Sequence, residues 1–285
     1  MKLKLIALAA MLAASGSASA ITPTDDVSGG NAFLLLTVLD ANFGGGVGRS
    51  YTRSLEVAMN DFGTANRTTG GFTRNVDLLS SGNRNWATGA LWSTFTAGMD
   101  AATISGLQWD VTAVDQVGTS AVDQKRILTT SASNLVDQIA LVGVSTSNGE
   151  FNNATLNQDI YWDAAISAMG AGTEIIVDDT ASNAFAISGA VHSTNFSGNT
   201  PDFSTVGQVG DSMGFYYLTR SSSTNTAEAL GVAYGNANGA SSFTLGTDGA
   251  LSFATAAPVP EASTYGMMLA GLGLVGFMAA RRRRI

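Results

Sequence analysis

The hydrophobic and polar positions of residues 21–257 follow a pattern of short strands separated by turns. The first apolar run, residues 31–40, lies between two glycine-rich stretches and predicts a buried strand. Residues 50–59 predict a second strand, whose inward positions are Tyr51, Leu55, Val57 and Met59. From residue 107 to residue 113 apolar residues, among them Trp109, alternate with polar ones, which is the period of a strand.

Shorter strands and two helices complete the predicted body. The strands are expected at residues 174–178, 184–188, 214–219, 229–234, 242–245 and 250–253. The last two are joined by Gly246-Thr247-Asp248-Gly249, a sequence typical of a hairpin turn. Apolar residues spaced by three and four predict short helices at residues 134–142 and 158–169. The fold class expected is therefore mainly β, an antiparallel β-sandwich ectodomain with one or two short helices.

The N-terminus has the three parts of a secretory signal peptide. Lys2 and Lys4 precede an uncharged apolar run at residues 5–14. Ala18 and Ala20 supply the small side chains that signal peptidase requires, and cleavage is expected after Ala20. Residues 1–20 are therefore interpreted as a signal peptide, and residues 21–257 as the exported ectodomain.

The C-terminus changes composition at Pro258, where the strand pattern stops. A short element, residues 259–264, precedes an apolar stretch at residues 265–280 that contains no charged residue. As a helix this stretch is about 24 Å long, short for a bilayer but usable with local thinning. The chain then ends with a basic cluster, Arg281, Arg282, Arg283 and Arg284, and Ile285. Such a cluster keeps this end of a transmembrane helix in the cytoplasm, so the ectodomain is expected outside.

This tail, residues 258–285, resembles the PEP-CTERM family of exported bacterial proteins. The family's Pro-Glu-Pro motif corresponds here to Val259, Pro260, Glu261, Ala262 and Ser263, with Ala262 in place of the second proline. The resemblance implies recognition and processing by an exosortase in a Gram-negative bacterium that makes exopolysaccharide. It also implies a membrane-anchored intermediate, followed by release to the cell surface or matrix. A plain membrane anchor is the alternative interpretation of the tail.

Composition narrows the classes of function. Residues 21–257 hold eight Lys and Arg against 21 Asp and Glu, a net charge of about −13, which argues against a nucleic-acid partner. The chain has no cysteine, so neither disulfides nor thiolate metal sites contribute. The sole histidine, His192, has no nucleophile motif beside it, and we expect no catalytic residues and no enzymatic activity.

Carboxylates are the remaining candidates for chemistry. Glu150, Glu174, Asp178 and Asp179 offer pairs for glycoside hydrolysis, although their spacing does not indicate that they converge. Asp178-Asp179, like Asp25-Asp26, supplies oxygen ligands suited to calcium. Neither pair belongs to a calcium-binding loop motif, so we interpret both as solvated turn carboxylates and predict no metal residues and no other cofactor.

Trp86 is the aromatic residue most suited to a glycan contact. It follows Asn83-Arg84-Asn85, a polar stretch that predicts an exposed loop. The sequence as a whole therefore predicts a non-enzymatic cell-surface or extracellular-matrix protein of a biofilm, associated with exopolysaccharide. The expected processing partners are signal peptidase and an exosortase. The alternative is a carbohydrate-binding adhesin module.

Overall fold

A computed structural model describes residues 32–59, 65–68, 71–74, 84–116, 125–131, 147–178, 182–185, 205–227, 229–236, 239–254 and 267–272. The strands are β1 (Phe33–Asp40), β2 (Arg49–Ala58), β3 (Ala65–Thr68), β4 (Gly71–Arg74), β5 (Arg84–Trp86), β6 (Gln108–Asp115), β7 (Arg126–Ser131), β8 (Glu174–Val177), β9 (Gly207–Gln208), β10 (Ser212–Thr219), β11 (Leu230–Ala233), β12 (Gly235–Asn236), β13 (Gly239–Ala240), β14 (Ser242–Leu245) and β15 (Leu251–Ala254). The helices are α1 (Phe43–Gly46), α2 (Trp92–Phe95), α3 (Ala101–Ser105), α4 (Asn148–Met169) and α5 (residues 267–272).

Eleven of these strands form one antiparallel sheet. Its order is β5-β15-β14-β10-β7-β6-β1-β2-β8, with β11 paired to β10 and β9 paired to β6. The prediction of a mainly antiparallel β protein is confirmed. The arrangement differs from two separate facing sheets, because hydrogen bonds run without a break from β5 to β8 and the sheet covers its own core by curling.

The two ends of this sheet meet each other. The indole Nε1 of Trp86 in β5 donates to the carbonyl oxygen of Leu55 in β2 at 3.1 Å. The Glu174 carboxylate at the start of β8 accepts the backbone N–H groups of Ala90 and Leu91 at 3.0 and 2.7 Å. These contacts join segments that stand at opposite ends of the strand order, so the curl is closed by side chains.

Arg53 and Gly89 complete this closing contact. The Arg53 guanidinium donates to the carbonyl oxygen of Ala87, and its Nε lies 3.6 Å from Glu174 Oε1. A Cβ atom on Gly89 would overlap the Glu174 carboxylate and the Tyr51 hydroxyl. The absence of a side chain at position 89 is therefore what allows the loop to approach the carboxylate.

The inner face of the curl holds an aromatic core. Phe243 lies 4.9 Å from Phe215 and 4.8 Å from Phe253, measured between ring centroids. On the central strands, Val38 is paired with Tyr51 and with Trp109, and all three are buried. The predicted inward residues are likewise buried, namely Tyr51, Leu55 and Val57 in β2 and Met59 directly after it. Thr52 and Ser54 between them are also buried, so the burial of β2 does not alternate.

Helix α4 covers the outer face of the central strands. Tyr161 from this helix shares its hydroxyl with Thr37 Oγ1 at 2.9 Å and Thr52 Oγ1 at 2.8 Å. Thr37 is paired with Thr52 and with Asp110, so three polar residues lie in one row beneath the helix. The sheet is therefore buried on both faces here, which explains why polar positions of β6 are inaccessible.

The prediction of a helix ending at Met169 is confirmed, but α4 begins ten residues earlier than the predicted residue 158. Its start is a capping box, in which the Ser147 hydroxyl accepts from the Glu150 N–H and the Glu150 carboxylate accepts from the Ser147 N–H. The predicted helix at residues 134–142 lies outside the described residues. Ala184 and Phe185, predicted as the start of a strand, lie in a turn.

Candidate functional site

The last strand before the tail is held firmly in the sheet. β15 lies between β14 and β5, with Leu251 paired to Leu245 and to Trp86. Leu251 and Phe253 are buried, whereas Ala254 is exposed. The last described strand of the body therefore ends at residue 254, four positions before Pro258.

The hairpin turn that leads into β15 is fixed by backbone geometry and packing. Gly246 N–H donates to the Ala250 carbonyl at 2.8 Å. Gly249 has a φ of 81°, and a Cβ atom there would come within 2.6 Å of the Trp92 ring. The positive φ and the close approach of the Trp92 ring both require glycine at position 249, which agrees with the turn predicted from the sequence.

Of the predicted tail helix at residues 265–280, the structure describes residues 267–272, and these are helical. Their large side chains are exposed: Met267 to 75%, Leu269 to 66% and Leu272 to 62%. Within the described residues, no helix combines the length and apolar character needed to cross a bilayer. The exposed apolar surface of α5 is nevertheless the kind of surface that a lipid or protein partner covers.

The sequence elements of the two terminal signals lie outside the described residues. This applies to Ala18 and Ala20 at the predicted signal cleavage site, and to the motif residues Val259, Pro260, Glu261, Ala262 and Ser263. It applies equally to the basic cluster Arg281, Arg282, Arg283 and Arg284. Their assignments stay predictions from sequence.

Trp86 lies in a strand, not in the exposed loop that its polar neighbours predict. Its ring stacks on Phe243 with centroids 5.9 Å apart, and its Nε1 is engaged by Leu55. The side chain is half-buried against the core. The main role of the Trp86 side chain is therefore to pack in the closed sheet, and only part of its ring is accessible to a glycan.

The candidate carboxylates occupy three separate structural positions. Glu150 caps α4, Glu174 closes the sheet, and Asp178 forms an ion pair with Arg49 at 2.8 Å. Hydrogen bonds from Ser147 lower the pKa of Glu150, as expected for a cap. The structure does not bring these carboxylates together in one cleft lined by the described residues. Asp179, His192 and the Asp25-Asp26 pair lie outside the described part of the chain.

The described residues contain no group of three or more His, Cys, Asp or Glu side chains placed to hold a metal ion. Asp178, one of the calcium candidates, has both carboxylate oxygens bonded to Arg49, at 2.8 and 3.1 Å. In this arrangement its charge is already matched by a cation, which reduces its suitability as a calcium ligand.

A buried carboxyl group was not predicted from the sequence. Asp110 is 2% exposed and lies beneath α4, beside Tyr161. Burial raises the pKa of Asp110 well above its usual range, and a hydrogen bond with the Thr205 side chain opposes the shift. Burial likewise raises the pKa of Tyr161. This pair is enclosed in the interior, so we interpret it as a structural element.

Polar side chains form a row on the exposed outer face of the strands next to the tail. Asn85, Ser252, Thr244 and Ser212 are neighbours across β5, β15, β14 and β10. Asn85 and Ser212 are exposed, and Ser252 and Thr244 are partly exposed. This row is uncharged, in contrast to the acidic chain as a whole.

Comparison with known proteins identifies the tail. No curated protein and no solved structure matches the chain. Residues 258–284 match the family model of the PEP-CTERM protein-sorting motif. The match covers the motif, the apolar stretch and the four arginines, despite Ala262 at the position of the second proline. The chain therefore carries a PEP-CTERM sorting motif, which marks it as an exported, exosortase-targeted protein.

Proposed function

We propose that this is a non-enzymatic protein of the cell surface or extracellular matrix, delivered there by removal of its C-terminal tail. An exosortase cuts the tail within the motif at residues 259–263, after signal peptidase has removed residues 1–20. The single observation that supports this proposal most is the match of residues 258–284 to the sorting motif. The proposed location of the released protein is the exopolysaccharide matrix of a biofilm.

The order of parts in the tail supports a transient membrane anchor. The apolar stretch holds the unprocessed chain in the membrane, and the arginines keep its end in the cytoplasm. The last described strand of the body is paired with β14 up to Ala254, upstream of the motif. A cut at residues 259–263 would leave all the described strands on the released product.

Intact mass measurement on protein from membranes and from growth medium tests this proposal. The wild-type medium fraction is expected to lack both residues 1–20 and the segment after the cut. Changing Pro260 and Glu261 together to Ala should leave the tail attached and the protein in membranes. The matched control changes Pro201 and Glu228, the same residue types within the body, and should be processed normally. A wild-type product that retains residue 285, or a motif variant processed like the control, would refute the proposal.

A carbohydrate-binding adhesin is the second candidate function. It is favoured by the uncharged row of Asn85, Ser252, Thr244 and Ser212, whose hydroxyl and amide groups suit sugar hydroxyls. Asn85→Ala tests this role better than Trp86→Ala, because the Trp86 ring also packs on Phe243 in the core. Binding to purified exopolysaccharide that survives in Asn85→Ala, or that is absent from the wild type, would argue against the adhesin.

A further inference from the structure

The strand directions define two ends of the sheet. Leu35, Thr112, Thr129 and Tyr216 form one row across β1, β6, β7 and β10. Following the strands from this row in one direction leads to Phe33, Asp115, Arg126 and Thr219, which we name the tail-side end. The other direction leads to Asp40, Gln108, Ser212 and the turn at residues 246–249, which we name the turn-side end.

The start of β1 and the end of β15, the first and last described strands of the body, both face the tail-side end. The chain enters β1 at Phe33, which lies at that end. β15 is antiparallel to β14, and β14 is antiparallel to β10, so β15 runs in the direction of β10. Ala254 is paired with Ser242, and Ser242 is paired with Gly214, so Ala254 and Gly214 lie at the same height in the sheet. From Gly214, β10 continues to Thr219 at the tail-side end. The chain leaves β15 in this same direction.

Charge differs between the two ends. At the turn-side end the aspartates Asp100, Asp211 and Asp248 are exposed, and a fourth, Asp178, is exposed but paired with Arg49. At the tail-side end Arg126 bonds Asp115 at 2.7 Å, and Lys125 donates to Asn152. Two carboxylates, Glu56 and Glu150, are exposed there. The turn-side end therefore exposes the greater negative charge among the described residues. An anionic lipid surface repels such a cluster of carboxylates.

The loop at the tail-side end, residues 221–226, carries no charged side chain and is held by hydrogen bonds. The Asn148 side chain donates to the Thr224 carbonyl at 2.8 Å and accepts from the Ser221 N–H at 3.0 Å. Arg220, only 2% exposed, bonds the Ser223 carbonyl at 3.1 Å and Asn225 Oδ1 at 2.9 Å. These contacts hold residues 223–226 exposed without a charged side chain at the tip.

We propose that the unprocessed body stands on the membrane with its tail-side end toward the lipid and its turn-side end away from it. This orientation rests on the proposed function, since it requires the tail to hold the body at the bilayer. Chain direction brings the tail-side end to the membrane, and the aspartates of the turn-side end are kept away. The loop at residues 223–226 is the surface nearest the lipid headgroups.

Site-directed labelling tests the orientation, because the wild-type chain contains no cysteine. Ser223→Cys places a donor dye at the tail-side end and Thr247→Cys places the same dye at the turn-side end. Both positions are exposed loop residues, so each is the matched control for the other. The unprocessed protein, purified from cells that lack exosortase, is reconstituted in vesicles of phosphatidylethanolamine and phosphatidylglycerol with an acceptor dye on the headgroups.

Energy transfer to the headgroup dye is expected to be stronger from position 223 than from position 247. The eight residues of β10 alone span about 24 Å between the two ends, enough to give a clear difference in transfer. Equal transfer, or stronger transfer from position 247, would overturn the proposed orientation. Flotation of the same vesicles separates the two proposals. Protein that does not float contradicts the membrane anchor itself, whereas floating protein with equal transfer contradicts only the orientation.

Discussion

At the scale of single residues, Asp110 is the side chain whose surroundings most alter its chemistry. It is buried beneath α4, in the row that includes Thr37, and close to the Tyr161 hydroxyl. Burial raises its pKa because water no longer solvates the ionised form. The folded protein therefore binds a proton at Asp110 more tightly than the unfolded chain does.

This difference predicts how stability depends on pH. Wild-type stability should fall as the pH rises from the unfolded pKa of an aspartate, about 4, to the higher folded pKa of Asp110. Asp110→Asn cannot ionise, so its free energy of unfolding relative to wild type should increase with pH, by up to about 1.4 kcal/mol per pH unit. Urea unfolding between pH 2 and pH 8 measures the difference.

A second aspartate provides the control for Asp110. The pKa of Asp100 is lowered by the hydrogen bonds that it accepts from Thr103 at the start of α3, and its side chain is exposed. Asp100→Asn should therefore lose stability relative to wild type as the pH rises through the acid range, which is the opposite sign. A stability difference for Asp110→Asn that does not change with pH would contradict the assigned burial effect.

At the scale of elements, β15 is the last described strand of the body and completes its core. Leu251 and Phe253 are buried, and removing side chains of this size from a core costs about 2–5 kcal/mol each. A chain ending after Gly249 should therefore lose most of a typical folding free energy of about 5–15 kcal/mol. A chain ending after Ala257 should keep its full stability, because every described strand remains.

Denaturant titration followed by tryptophan fluorescence distinguishes the two truncated chains, since Trp86 and Trp92 both contact the β15 region. The chain ending after Ala257 serves as the control for the loss of the tail itself. Equal unfolding midpoints for the two chains would show that β15 does not belong to the stable body.

The elements also show what the sequence could and could not predict. The hairpin turn before β15 was predictable because its glycines and aspartate specify it locally. The start of α4 was missed although Ser147 and Glu150 form a capping box, because polar residues obscure its apolar spacing. β5 has only three residues, and its pairing partner β15 lies far along the chain. No local pattern indicates such a strand, so the sequence predicts an exposed loop at Trp86.

The sorting tail and the buried Asp110 differ in the same way, since one depends on neighbouring residues and the other on residues distant in sequence. The sorting tail is contiguous, and the resemblance to the PEP-CTERM family that its sequence indicates agrees with the family-model match at residues 258–284. The burial of Asp110 depends on α4, which begins 38 residues later and covers the outer face of β6. An alternating sequence pattern predicts an apolar and a polar face of a strand, but it does not indicate that a helix covers the polar face.

At the scale of the whole molecule, the side-chain contacts between β5 and β2–β8 convert an open sheet into a closed one. Glu174 is central to them, because its carboxylate accepts two backbone N–H groups from the loop after β5 and lies beside Arg53. Its side chain is only 9% exposed, and the bond from Leu91 is partly buried, whereas the bond from Ala90 lies at the surface. Hydrogen bonds to a charged group stabilise by about 1.5–3 kcal/mol each.

Glu174→Gln should therefore destabilise the protein by about 2–3 kcal/mol, because an amide has one acceptor oxygen where the carboxylate has two. Asp178→Asn is the matched control, since Asp178 also pairs with an arginine of β2 but is 51% exposed, and its change should cost less than about 1 kcal/mol. Hydrogen exchange should locate the effect at the amides of Ala90 and Leu91 and in β5. If both variants lost the same stability, or if exchange rose evenly over the sheet, Glu174 would be an ordinary surface charge and the curl would be held by its aromatic core alone.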